Sequence, residues 1–204
     1  LLNEVQNKYF KRSIQTITYM PYFLSLVVVA GIVIDFTDSN GVITNIVALF
    51  GGEKQNLLGR PENFRAIYVG SGIWQGVGFG TIIFLAALSG VNKELYEAAS
   101  IDGANRLKQT WYITLPTITS TIVILLIMRV GTIMAVGFEK IILLYSPATY
   151  ETADVISSFV YRKGLQEYNY GYSTAVGLFN SIINMTLLIF ANFLSRKYSE
   201  TSLF

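Results

Sequence analysis

The chain has 204 residues, 52% of them hydrophobic and only 14% charged, with a mean hydropathy of +0.47 and a formal net charge of +2. Soluble domains carry about a quarter charged residues, so an ordinary soluble domain is excluded, and so small a net charge gives no reason to expect nucleic acid. Without Cys or His, disulfides, thiolate catalysis, histidine bases and Cys/His metal sites are also excluded, and neither catalytic residues nor metal ligands are expected.

Taken in order, residues 1–14 set Lys8, Lys11 and Arg12 against Glu4 and show no secretory signal pattern. They read as a short cytoplasmic segment after helices that lie upstream of Leu1. Ile17–Ile34 is the first apolar run, 18 residues long, with Pro21 near its start where a missing N–H costs least. Residues 35–65 are polar and turn-rich and are placed outside, with Val42–Phe50 suited to a short interfacial helix. Residues 66–88 form the second expected span. The polar stretch 89–117 follows, in which Asn92 suits an N-cap, Glu94 suits a first helical turn, and Gly103 suits a positive φ that ends one helix. A second helix is expected over Ala104–Tyr112 before Leu115-Pro116 opens the next apolar run. The third span is expected at 118–138, an amphipathic surface helix at Thr152–Leu165, and the fourth span at 174–194, with a short tail from Ser195.

The expected architecture is therefore an all-α polytopic membrane protein, a single domain over 1–204 with four spans and a polar loop at 89–117. The inner loops hold eight Lys and Arg and the longer outer loops six, which puts the 89–117 loop and the C-terminus in the cytoplasm. Within the spans, Gly72, Gly76 and Gly80 recur every fourth residue, for close helix packing or for a smooth translocation wall beside Trp74 and Gln75. Gly177, Asn180, Ser181 and Asn184 make a polar stripe, for interhelical hydrogen bonds or for lining a path for a hydroxyl-rich solute. Arg129 is the charge set well inside a span. It either snorkels outward, pairs structurally, or offers a donor fork to a passing sugar.

The order Glu97-Ala98-Ala99, three residues, Gly103, nine residues, Ile113, one residue, Leu115-Pro116 resembles at every position the EAA loop of the membrane subunits of binding-protein-dependent ABC importers. The stretches FKRSIQTITYMPYF, GTIIFLAAL and VGFEKIILLY resemble the oligosaccharide and polysaccharide branch (LplB-like, maltose-permease-related), and the likeness covers essentially the whole chain. It implies a MetI-like ABC importer transmembrane domain with six spanning helices, four of them in this sequence, in the cell membrane. It also implies that the loop is a coupling element. Glu97 would be the polar contact to an ATPase subunit, Ala98 and Ala99 would allow close approach, Asp102 would cap, Gly103 would set the bend, and Leu115 and Pro116 would begin the next helix. The partners implied are cytoplasmic ATPase subunits, a second, homologous permease in a heterodimer, an extracytoplasmic solute-binding protein and the lipid bilayer. No Gly-Lys dipeptide occurs for a phosphate-cradling loop, so ATP and Mg belong to the ATPase subunits and no cofactor or enzymatic activity is expected here. The cargo implied is an oligosaccharide or other carbohydrate. An amino-acid or peptide importer and a secondary, ion-coupled transporter are the alternatives.

Overall fold

A computed structural model describes residues 7–134 and 136–199. Glu4 and the last residues of the tail lie outside the described residues. Every regular element among these is helical: α1 (Lys8–Tyr19), α2 (Leu26–Thr37), α3 (Val42–Leu49), α4 (Pro61–Ser89), α5 (Lys93–Ile101), α6 (Arg106–Gln109), α7 (Leu115–Gly131), α8 (Phe138–Leu144), α9 (Tyr150–Ala153), α10 (Ile156–Tyr161) and α11 (Tyr170–Ser199). Two compact units emerge, residues 1–79 with 135–179 and residues 80–134 with 180–204. Four helical stretches are long and apolar enough to cross a membrane: Leu26–Leu49, Pro61–Ser89, Arg106–Gly131 and Tyr170–Lys197. Of the most apolar window in each, the described residues bury 28%, 6%, 11% and none in turn, so most of their surface is available to lipid or to neighbouring subunits.

In the first unit the apolar run at 17–34 is not one helix. After α1 the chain tightens into a 3₁₀ turn at Met20–Phe23 around Pro21, which has no N–H to donate, and Leu24 and Ser25 are extended. The Ser25 hydroxyl accepts the Val28 N–H at 3.3 Å and starts α2 afresh, and α2 runs on through Asp35 to Thr37. A short helix, α3, does form where 42–50 suggested one. Its Thr44 hydroxyl donates to the Thr37 carbonyl at 3.2 Å, which ties the first turn of α3 to the end of α2. Val29, Ala30 and Val33 of α2 pack with Leu58, Phe64, Leu144 and Ala153 as the core of this unit. The surface helix expected at 152–165 is instead interrupted. Asp154 and Val155 are extended, the Asp154 carboxylate is taken by Arg162 and by the Ser158 hydroxyl, and Ser158 Oγ also accepts the Val155 N–H. Short polar side chains here outcompete the helical ladder, and both Ala153 and Ser158 are buried.

In the second unit the third span ends at Gly131, seven residues short of the expected 138, and α8 is a separate helix of the first unit. A Cβ on Gly131 would stand 2.6 Å from Leu188 Cδ1, and the Met134 N–H donates to Asn184 Oδ1 at 3.3 Å. Close approach at a glycine and capture of a freed amide stop the helix there. Two of the long helices run beyond their expected bounds: α4 begins at Pro61, where proline's missing N–H is not needed, and α11 covers 170–199.

Candidate functional site

The 89–117 stretch builds a stiff elbow. Asn92 Oδ1 accepts the Glu94 N–H at 2.9 Å and starts α5. At its other end the Ala104 N–H bonds to the Ala99 carbonyl at 2.8 Å and the Gly103 N–H to the Ser100 carbonyl at 3.1 Å, the paired closure of a Schellman turn. Gly103 holds φ +77° there, a conformation that costs any residue with a Cβ. Asp102 is the C-cap by position, with its side chain exposed. The second limb begins two residues later than expected, at Arg106, because Asn105 Oδ1 caps it by accepting the Lys108 N–H at 3.0 Å.

Side chains then lock the angle. Gln109 Nε2 donates to Ser100 Oγ at 2.9 Å and to the Ala104 carbonyl at 3.2 Å, Ser100 Oγ donates to the Tyr96 carbonyl at 2.8 Å, and the Tyr96 hydroxyl meets Thr114 Oγ1 at 2.8 Å. None of these four residues belongs to the EAA pattern. The signal for them was the placement of Tyr96 and Ser100 four apart on one face of α5.

Leu115-Pro116 does not break the chain. α6 passes through a π turn at Thr110–Thr114, closed by the Leu115 N–H on the Thr110 carbonyl, straight into α7. Proline at 116 gives the Tyr112 carbonyl no donor and crowds it, and the widened turn just ahead relieves both. Glu97, Ala98, Asp102 and Gly103 are exposed and Ala99 half-buried. Both limbs also expose large apolar groups, Ile101 by 87%, Leu107 by 70%, Trp111 by 66% and Tyr112 by 80%, surface that a soluble environment alone leaves unexplained. Glu97 makes no ion pair among the described residues, and no acidic group there could hold a metal.

The pathway candidates fall in both units, Trp74, Gln75 and Gly177 in the first and Arg129, Asn180 and Asn184 in the second. Trp74, on α4, lines an apolar cavity of about 500 Å³ with Val33, Phe36, Ile43, Ile67 and Gly70. Its hydroxyls, on Thr37 and Ser71, are spent on carbonyls of their own helices at 2.7 and 2.6 Å. Gln75 beside it is half-buried. Among the described residues nothing lies within 4 Å of a Cβ at Gly76 or Gly80, and at Gly72 the neighbour is Lys140 Nζ at 3.6 Å. The close approach is at Gly78, where a Cβ would stand 2.2 Å from the Thr18 carbonyl oxygen. Lys140 itself, unforeseen, is buried, donates to the Tyr68 carbonyl at 3.3 Å, lies 5.2 Å from the Tyr68 ring, and has its pKa lowered by that burial. On α11, Asn184 Oδ1 accepts the Met134 N–H from the turn after α7, Asn180 Oδ1 is enclosed without a partner among the described residues, and Gly177 is half-buried. Arg129 stands in the last turn of α7 and is exposed, because α7 ends only two residues beyond it. Its guanidinium is therefore near a helix end, where the macrodipole favours a cation, and not well inside a helix running to 138 as the sequence suggested.

A helical, multi-pass membrane subunit whose exposed elbow continues unbroken into a membrane-length helix defines the membrane component of a transport system. The chain belongs to the binding-protein-dependent transport system inner membrane component family, whose pattern matches residues 2–200. It is 42% identical over 205 residues to the polygalacturonan/rhamnogalacturonan transport system permease protein YteP of Bacillus subtilis (strain 168), and 42% identical over the same length to Protein LplB of that organism. All of this chain is covered in both cases, and it spans 64% of each relative. A solved bacterial alginate ABC transporter, in complex with an alginate pentasaccharide-bound periplasmic protein, superposes with a TM-score of 0.95 at 47% identity, over 99% of this chain and 70% of that one.

Proposed function

We propose that this chain is the core of the permease subunit of an ATP-driven ABC importer, which accepts an acidic oligosaccharide from an extracytoplasmic binding protein and passes it into the cytoplasm. The elbow carries this reading. Its Schellman turn and its Gln109–Ser100 and Tyr96–Thr114 braces make a rigid handle with an apolar, outward surface, suited to a cleft in a separate ATPase subunit that binds the ATP and Mg. A second, homologous permease subunit completes the pathway, and the elbow and C-terminus face the cytoplasm. Polygalacturonan and alginate, named for the relatives at 42% and 47% identity, are both polyuronates, which favours uronate-containing cargo over amino acids or peptides. An ion-coupled carrier is disfavoured by the absence of Asp and Glu from residues 66–88, 118–131 and 174–194, while in the first stretch, Leu26–Leu49, Asp35 stands in the last turn of α2 and Asp38 at the break between α2 and α3.

The test is uptake of labelled oligogalacturonate and oligoalginate by vesicles containing the full-length protein with its second permease, ATPase and binding protein. Uptake that needs both ATP and the binding protein is expected. Uptake driven by an ion gradient with ATP absent would overturn the assignment, and ATP-driven uptake of neutral sugars alone would overturn the cargo.

A further inference from the structure

α1 is the most sharply two-faced helix of the chain. At 100° per residue, Lys8, Lys11 and Arg12 share one arc with Gln15, while Phe10, Ile14 and Ile17 stand on the opposite side. No Asp or Glu occurs between Lys8 and Tyr19. The chain buries no residue of this helix, and Tyr9, Phe10 and Ile17 are 86%, 58% and 70% exposed. Yet α1 is not loose. Its last turn rests on α4, where Gly78 admits the Thr18 carbonyl, and one residue on from Gly78 the Phe79 ring stacks on Tyr22 with centroids 4.1 Å apart and planes at 4°.

A cationic face beside an apolar one, on a short helix fixed to a membrane-length helix, has the chemistry of the boundary between headgroups and acyl chains. We propose that α1 lies in the plane of the bilayer interface and binds anionic phospholipid headgroups through Lys8, Lys11 and Arg12, with Phe10, Ile14 and Ile17 in the acyl boundary. Charge complementarity selects this occupant. Three cations with no intervening carboxylate attract a phosphodiester surface, and each basic group near such a surface strengthens binding about fivefold. Because the end of α1 is keyed into α4 at Gly78, headgroup binding also steadies α4 against displacement.

The experiment uses the full-length protein, assembled with its transport partners, in nanodiscs of phosphatidylcholine with increasing phosphatidylglycerol. A Phe10→Trp reporter is read as the difference from its parent, which removes the signals of Trp74 and Trp111. The expected result is blue-shifted emission, quenched by brominated phospholipid and strengthened by phosphatidylglycerol. Changing Lys8, Lys11 and Arg12 together to Gln should raise the phosphatidylglycerol fraction needed by at least about fivefold, and added salt should act in the same direction. Three outcomes would overturn the proposal: emission of a water-exposed indole in every lipid, a phosphatidylglycerol response unchanged in the triple variant, or shielding that appears only on assembly and is immune to brominated lipid. The last would assign α1 to a protein partner.

Discussion

The side-chain amide of Gln109 donates to the hydroxyl of Ser100 at 2.9 Å, so that one residue of the elbow's second limb holds the first limb at a fixed angle. The bond joins two exposed or half-exposed residues that the EAA pattern itself leaves unspecified. Its worth to folding is small, and under the proposed function its worth would lie in the transmission of force through the elbow.

Gln109→Leu should therefore fold and insert normally, since a hydrogen bond of this kind contributes about 1 kcal/mol. The variant should lose coupling: solute moved per ATP hydrolysed falls several-fold while basal ATPase activity persists. Unchanged stoichiometry in reconstituted vesicles would show that the brace is dispensable.

At Gly103, Ala must adopt φ +77° at a cost of about 1–2 kcal/mol, and Pro in addition removes the N–H that bonds to Ser100. Uncoupling should deepen from Ala to Pro. Glu97→Lys, at an exposed position, should leave the melting temperature unmoved and still uncouple, a pairing that a purely structural role for Glu97 does not give.

The glycines of α4 separate cleanly by substitution. Gly78→Ala puts a methyl group into the Thr18 backbone, with contacts of 2.2 to 2.8 Å that no side-chain rotation relieves, and should cost about 1–3 kcal/mol as overpacking does. Gly76→Ala meets nothing in this chain and should leave the isolated subunit as stable as before. A loss of complex assembly in Gly76→Ala would reveal a second subunit seated on that row.

Asp154 is held below the usual carboxylate range, first by its hydrogen bonds with the Arg162 guanidinium at 2.9 and 2.5 Å. Its folded pKa is depressed, so its contribution is fully present above the unfolded value of about 3.9 and is lost as pH falls through the lower folded value. Asp154→Asn should lower the thermal midpoint at neutral pH and flatten its decline below about pH 4. Equal acid sensitivity of the variant and the parent would remove the pair from the account.

Arg129→Met should leave the complex assembled, costing no more than about 0.3–1 kcal/mol for the lost charge at the α7 terminus. If the exposed guanidinium meets the cargo, uptake of an acidic oligosaccharide should fall more than that of a neutral one. Equal rates for both would leave Arg129 with the helix-end role alone.

Much of this was readable from residue order because it rests on local chemistry. Asn92 caps where an Asn before an acidic first turn should cap, and Gly103 takes the left-handed conformation that its place after a polar helix requires. Helix ends set by distant partners were not readable. Gly131 stops α7 because Leu188 and Asn184, more than 50 residues away, crowd and bond there, and the expected surface helix at 152–165 breaks because Asp154 finds Arg162. The glycine row gave a similar lesson. Spacing identified a smooth face on α4, but the close contact falls at Gly78, on a different azimuth, where the neighbour is a backbone carbonyl.

The absence of a joint at Leu115-Pro116 makes the elbow's second limb and α7 one rod of 26 residues, about 39 Å long at 1.5 Å per residue. A rod driven from one tip pivots wherever it is held, and here the far tip is pinned by Gly131 against Leu188. A sideways push at Arg106 would be turned into a tilt about that pin, greatest near the elbow and vanishing toward the pin, as in a shutter hinged along one edge.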